Sequence, residues 1–296
     1  MRFDKKPDTS DKYFKTAFLP TGLRAHPKRK ERDMSDPHAL QQPIRVPLQR
    51  TLQSVVIPDL VRRRTGVHSP LTPGESLSEQ TLADLAQASL ESLPSVEIKL
   101  EQLLAQGWGM EQLYLQGIAA TARQLGQWWL SDQIHFASLT LAVGHLQELV
   151  LRWEGRFLRS ADPLPGASRR VALLAGNFQD QHSLGLLMLQ AFFKRDGWQV
   201  HPTAGMTEAT LLAHVKTFHV DLLGLSVATD RRLPQTRQLI EALRQASLNP
   251  KLQVMVGGPL LMAHPEVAHD LGGDFLGLEA DQASKQAFQW VERMNR

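Results

Sequence analysis

From Arg169 onward the hydrophobic period of the chain keeps switching, and this switching constrains the fold more than any other feature. Short apolar or β-branched runs predict strands at Val171–Ala175, near 198–200, at 221–226, at 253–256 and near 275–277. Between them the apolar residues return at helical spacing, which predicts helices over about 183–195, 207–218, 234–245 and 265–271, with a last one to the C-terminus. Repeated strand–helix units give a parallel sheet with helices on both faces, because each crossover must bury one side of its helix on the sheet.

Five strands in roughly 130 residues fit a flavodoxin-like (Rossmann-like) α/β domain of strand order 2-1-3-4-5. In that fold, ligands bind beyond the carboxyl ends of the strands. This domain is expected over residues 169–296. Residues 71–160 read instead as a four-helix unit. Ser76 or Ser78 can cap the first helix, and Pro94 sits at the start of the second. Gly107 and Gly109 mark a turn, a third helix spans about 110–130, and Ser131-Asp132 is expected to cap the fourth. Four helices joined by short connections predict a small bundle.

Residues 1–70 have another character. They hold fifteen Lys and Arg against seven Asp and Glu, so a basic arm precedes a mildly acidic body. The first 45 residues are polar, carry prolines and contain Lys28-Arg29-Lys30 with Arg32. Such a stretch buries too little apolar surface to offset its ordering entropy, so a largely disordered arm is expected. Only a short helix near 48–64 interrupts it. The arm can add salt-sensitive attraction to DNA phosphates. The chain has no cysteine, which excludes disulfides, thiolate metal sites, iron–sulfur clusters and thiol catalysis. No apolar run reaches the ~18–20 residues of a membrane span, and no secretory leader is recognisable. A cytoplasmic protein without a membrane partner is expected.

The unusual residues of the α/β domain gather at the strand ends. Asp180-Gln181-His182-Ser183-Leu184-Gly185 follows strand one, Ser226-Val227-Ala228-Thr229 follows strand three, and Gly257-Gly258-Pro259 follows strand four. An imidazole suits a borderline metal such as cobalt. It binds best when its other nitrogen donates to a carboxylate, a part that Asp180 can play for His182. Gly185 lets a bulky group pass the start of the helix. Gly257 and Gly258 remove side chains at a strand end, as a deep, flat ligand would require, and Ser226 offers a hydroxyl there. Each element alone is a weak signal; three in order, each after a predicted strand, form a strong one.

With these residues the sequence resembles the B12-binding family of methionine synthase, the cobalamin mutases and the corrinoid proteins. The family signature is D-x-H-x-x-G, then S-x-L, then G-G; Ala228 stands where the pattern has Leu. The resemblance implies a cobalamin cofactor, in its hydroxo-, methyl- or adenosyl- form. It implies His182 as cobalt ligand, Asp180 as that ligand's partner, and Ser226, Gly257 and Gly258 around the displaced nucleotide tail. The helical unit is similar to the cap that covers the corrin in related proteins. Gly126-Gln127-Trp128-Trp129 matches part of the cap motif, with Trp129 aligned to its tryptophan, while Leu139-Thr140 stands where Glu-His would be. Adjacent helical residues point about 100° apart, so one of Trp128 and Trp129 is expected to face the ring.

A more specific resemblance rests on Trp128 to Asp132, Phe136, Thr140 to Gln147 and Val56 to Leu60. These look like the AerR/PpaA group of cobalamin-binding antirepressors. That group implies light-dependent cobalamin binding and association with a DNA-binding repressor of the CrtJ/PpsR type that controls photosynthesis genes. His145 in the same region is a candidate second ligand or a packing residue. One alternative is a corrinoid methyl carrier of a methyltransferase system, using the same His182. Another is a flavodoxin-like signalling module that binds no corrin. No Walker loop, G-x-S-x-G or dinucleotide fingerprint is present, so no enzyme activity of the chain alone is expected.

Overall fold

The computed structural model describes residues 76–176, 184–203, 206–227, 230–277 and 279–295. The expected basic arm and its helix near 48–64 lie outside the described residues, as do Asp180, His182 and Ala228.

Helix α1 (Glu79–Glu91) starts where the Ser78 hydroxyl accepts the Thr81 N–H at 3.1 Å. The Ser92 hydroxyl then caps α2 (Leu93–Ala105), whose first turn carries Pro94, a residue that has no N–H to leave unpaired there. Gly107 turns the chain with φ +98°. Helix α3 is composite: a turn at Met110–Gln112, a π-helical stretch at Leu113–Ile118 and an α-helical part at Ala119–Leu130. Helix α4 (Phe136–Leu158) completes the four.

The expected role of Ser131-Asp132 is corrected here. These residues end α3, and α4 starts after His135, which makes no side-chain cap. Asp132 adopts the left-handed region, with φ 59°. Its N–H then reaches the Trp129 carbonyl at 3.1 Å, and the Gln133 N–H reaches that of Trp128 at 2.8 Å. This reciprocal pair satisfies the last carbonyls of a helix, and Asp is one of the few residues that enter the left-handed region readily.

The sheet consists of β1 (Val171–Ala175), β2 (Gln199–His201), β3 (Leu222–Ser226), β4 (Gln253–Gly257) and β5 (Phe275–Leu276). All neighbours are parallel, in the order β2-β1-β3-β4-β5. The crossovers are α5 (Leu184–Arg195), α6 (Glu208–Thr217), α7 (Leu233–Ala246), and two short helices, α8 (Pro259–Ala263) and α9 (Val267–Asp270). Helix α10 spans Ala280–Asn295. The turn at α8 was absent from the sequence reading, which placed Pro259 in a loop.

Period two sorts the strands between two cores. Leu173, Leu223, Leu225, Val254 and Val256 pack with Leu211 and Val215 of α6 and with Leu239, Ile240 and Leu243 of α7. Ala172, Leu174 and Met255 face the other way, toward Phe193 of α5 and Ala283, Ala287 and Val291 of α10. Two aspartates set the amino ends of the strands. Asp221 accepts the Val171 N–H at 2.8 Å and pairs with Arg170, while Asp274 accepts the Val254 N–H at 2.7 Å and pairs with Arg244.

Helix α5 belongs to two cores. Leu184, Met188, Ala191 and Phe192 join the helical core of Leu85, Leu100, Leu125, Leu146 and Phe157, while Phe193 joins the sheet core. Spacings of three and four residues put the first set on one face of the helix. A buried polar cluster locks the same junction. Arg195 lies over the rings of Phe157 and Phe192, at 5.0 and 4.7 Å, and pairs with Glu111 at 2.6 Å and Asp196 at 3.0 Å. Asp196 also accepts the Ser284 hydroxyl. Tyr114 stacks on Phe157 at 3.9 Å, and burial first, then the Glu154 charge, pushes its hydroxyl pKa above the ordinary range.

Candidate functional site

Of the expected site residues, the register brings Ser226 and Gly257 to one rim. Ala175 of β1 is level with Leu225, Leu225 with Val256, and Ser226 with Gly257 one step beyond. Past this point the Val227 N–H still donates to the Gly257 carbonyl at 2.8 Å, and the Leu260 N–H donates to the Val227 carbonyl at 3.2 Å. The ends of β3 and β4 are therefore held together where their side chains change from core to rim.

Gly258 sits at φ 102°, ψ 175°, a region that side chains essentially exclude. A Cβ there would lie 2.7 Å from Ser226 Oγ and 2.7 Å from both Val227 N and Val227 O. Gly257 is bare for a different reason: its Cβ would lie 2.3 Å from the Gly277 carbonyl oxygen, where β5 leaves the sheet. The glycine pair thus lets three backbone segments converge at this rim, and the space over Gly257 is filled by the protein's own carbonyl.

Two other residues carry features that the protein's packing does not explain. Ser226 is half-buried, and its hydroxyl has no hydrogen-bond partner among the described residues. A ligand at the rim would supply the partner that the described residues do not. Gly185 occupies the first turn of α5, is exposed, and has nothing within 4 Å of where a Cβ would stand among the described residues. No packing demand keeps it bare, although glycine weakens a helix by about 1 kcal/mol against alanine. An unpartnered hydroxyl on β3 and an open backbone at the start of α5 fit a large ligand lying across the carboxyl ends of the strands. Asp180 and His182, the expected metal-binding pair, lie outside the described residues.

The sequence reading missed Thr203 and Gln190. Thr203, 8 % exposed, donates its hydroxyl to the Leu174 carbonyl at 2.6 Å, and the Gln190 amide approaches the same carbonyl at 3.4 Å. They secure the carboxyl end of β1. A polar residue two positions past β2 was the available signal, but nothing local says which strand it serves.

Trp129 is 5 % exposed inside the helical core, its ring 6.1 Å from that of Phe136, while Trp128 is half-buried against the same cluster. His145 is half-buried with Nδ1 2.8 Å from the Ser89 carbonyl. A carbonyl only accepts, so Nδ1 carries a proton.

The model of the B12 binding domain matches residues 171–285. An uncharacterized 20.5 kDa protein in the bchF-crtJ intergenic region of Rhodobacter capsulatus is 27% identical over 167 residues, which cover 56% of this chain and 85% of that protein. Dimethylamine corrinoid protein 3 of Methanosarcina mazei is 28% identical over 134 residues, 44% of this chain and 78% of its own length. The solved structure of the Methanosarcina barkeri monomethylamine corrinoid protein superposes with a TM-score of 0.59 at 15% identity, covering 72% of this chain and all of that one. That likeness establishes the fold.

Proposed function

We propose that the B12-binding domain carried by residues 171–285, whose cofactor is cobalamin, serves a light-responsive transcriptional regulator. In this reading the chain is an antirepressor that binds a DNA-binding repressor of the CrtJ/PpsR type and thereby controls photosynthesis genes. The observation that carries it is the Rhodobacter capsulatus relative, named for its place beside crtJ and similar to this chain over 85% of its length. The basic arm adds a possible contact with DNA phosphates. The chain acts in the cytoplasm and performs no turnover by itself. Among the described residues, no helix is long and apolar enough to cross a membrane.

His182 would ligate the cobalt of bound cobalamin, and Asp180 would fix its tautomer by accepting from the other ring nitrogen. Ser226 would donate its hydroxyl to the nucleotide tail, and Gly185 would leave room for the cofactor at the start of α5. Bound cobalamin supplies visible absorption and a cobalt–carbon bond that light breaks. The chain's own part is to turn a change at the rim into a change of surface. Helix α5 begins at the rim with Gly185 and ends in the helical core with Phe192 and Arg195. A helix moves as a rod, so a shift at its start repacks the four helices, where Trp128 and Trp129 lie. A local event that biases a packed element is the common form of such switches.

The second reading is a corrinoid methyl carrier, which the likeness to dimethylamine corrinoid protein 3 favours. Visible spectra of the purified chain separate the two. The chain is mixed with adenosyl-, methyl- and hydroxocobalamin in the dark and after illumination, free corrin is removed, and His182→Ala is carried in parallel. Retention that depends on light or on the hydroxo form, with an altered spectrum or no retention in His182→Ala, is expected. Equal retention in light and dark, with methyl transfer from a partner enzyme, would establish the carrier. A chain that retains no corrin would overturn both.

A further inference from the structure

Away from the rim, one pair of metal-ligating side chains meets without an evident structural task. His201 ends the edge strand β2, and His214 lies in the last turn of α6. Their nitrogens, Nδ1 of His201 and Nε2 of His214, are 2.8 Å apart, and the rings stand at 80° with centroids 5.0 Å apart. The outer nitrogens, Nε2 of His201 and Nδ1 of His214, have no hydrogen-bond partner among the described residues. The ring of Phe218, itself 48% exposed, lies 4.5 Å from that of His214 and 5.7 Å from that of His201.

Two nitrogens this close share one proton, since two lone pairs repel and two N–H groups repel. The same space accepts a metal ion instead. Two metal–nitrogen bonds of about 2.0–2.1 Å meeting at about 90–110° hold their nitrogens ~2.9–3.4 Å apart. The observed 2.8 Å needs to widen by a few tenths of an ångström, and because centroids 5.0 Å apart set the two nitrogens nearly head-on, each ring must also turn by about 40° to aim at one ion. An edge strand and a helix end are the elements that yield most easily by that amount. Neutral imidazole is the ligating form, and burial first, then His201, holds the His214 pKa below its ordinary value.

We infer that His201 and His214 form a two-imidazole site for a divalent borderline metal ion of the copper, nickel or zinc class, separate from the cobalamin site. Among the described residues no group of three or more His, Cys, Asp or Glu converges. The protein therefore supplies two ligands and water fills the other positions. Such a site is open and exchangeable, unlike the closed four-ligand sites that hold structural zinc.

The test uses the full chain, stripped with a chelator and loaded with hydroxocobalamin so that the corrin site is occupied, and titrated with Cu2+. Electron paramagnetic resonance is expected to show one equivalent of copper with hyperfine coupling to two imidazole nitrogens. His201→Ala and His214→Ala should each weaken binding at least about tenfold and lose the two-nitrogen pattern. His214→Gln keeps a hydrogen-bonding group at that position and guards against a loss of fold, which the circular dichroism melt reports; it should lose the pattern too. His264→Ala should change nothing. Absence of a two-nitrogen signal, or its persistence in either alanine variant, would overturn the site without touching the cobalamin reading.

Discussion

Phe192 and Phe193 are neighbours in α5 that face opposite cores: Phe192 packs with Phe157 and Tyr114 of the helical unit, and Phe193 packs with Trp198 beneath the sheet. Both are fully buried. One helix thus welds the four-helix unit to the α/β unit, and that helix also carries Gly185 at the rim.

The first prediction concerns this weld. Phe192→Ala should cost about 3–5 kcal/mol, because it removes a buried ring and leaves a cavity between Phe157 and Arg195. Urea denaturation would measure it. A loss below about 1 kcal/mol would show that the helical unit does not depend on α5.

Two glycine substitutions should separate fold from ligand. Gly258→Ala meets Val227 backbone atoms at 2.7 Å and a backbone region that alanine avoids, so it should lower the melting temperature. Gly185→Ala meets nothing among the described residues and improves a helix, so it should raise stability by up to about 1 kcal/mol. Yet it should weaken corrin retention, because the passage beside α5 narrows. Retention unchanged by Gly185→Leu would remove Gly185 from the site.

Ser226→Ala should leave the melting temperature unchanged, since the hydroxyl has no partner among the described residues. Corrin affinity should fall by the worth of one neutral hydrogen bond, about 0.5–1.5 kcal/mol, read by equilibrium dialysis. A large drop in stability with intact affinity would instead assign Ser226 to the rim's own structure.

The His201–His214 pair predicts a pH dependence. Burial first, and His201 second, lowers the folded-state pKa of His214 below the ordinary 6.5. The unfolded chain therefore binds this proton more readily than the folded one. This contribution to stability is complete above about pH 6.5 and is lost as the pH falls through the folded value. The urea midpoint of the metal-free chain should decline over that acidic window, and His214→Gln should flatten the decline. A decline of equal slope in His214→Gln would trace it to other groups.

Much of this protein is legible in its sequence. The five strands and their crossovers follow from hydrophobic period, which is a local property, and the order 2-1-3-4-5 from the fold that such a count and connectivity fit. The place of Ser226, Gly257 and Gly258 follows from position, because each stands at or just past the end of a predicted strand and parallel strands present all their carboxyl ends on one side. Other features needed the tertiary structure, since distance in space decides them and spacing in the chain does not. Ser131-Asp132 reads as a cap from its residue types, but the left-handed turn at Asp132 makes it the end of α3. Gly257 reads as room for a ligand, but the Gly277 carbonyl, twenty residues on, occupies that room. The chain by itself determined that Ser226, Gly257 and Gly258 stand at strand ends. Only packing decided that α5 serves two cores, that Arg195 joins Glu111 across the junction, and that His201 meets His214, because each of these contacts closes a loop whose ends carry no mark of each other.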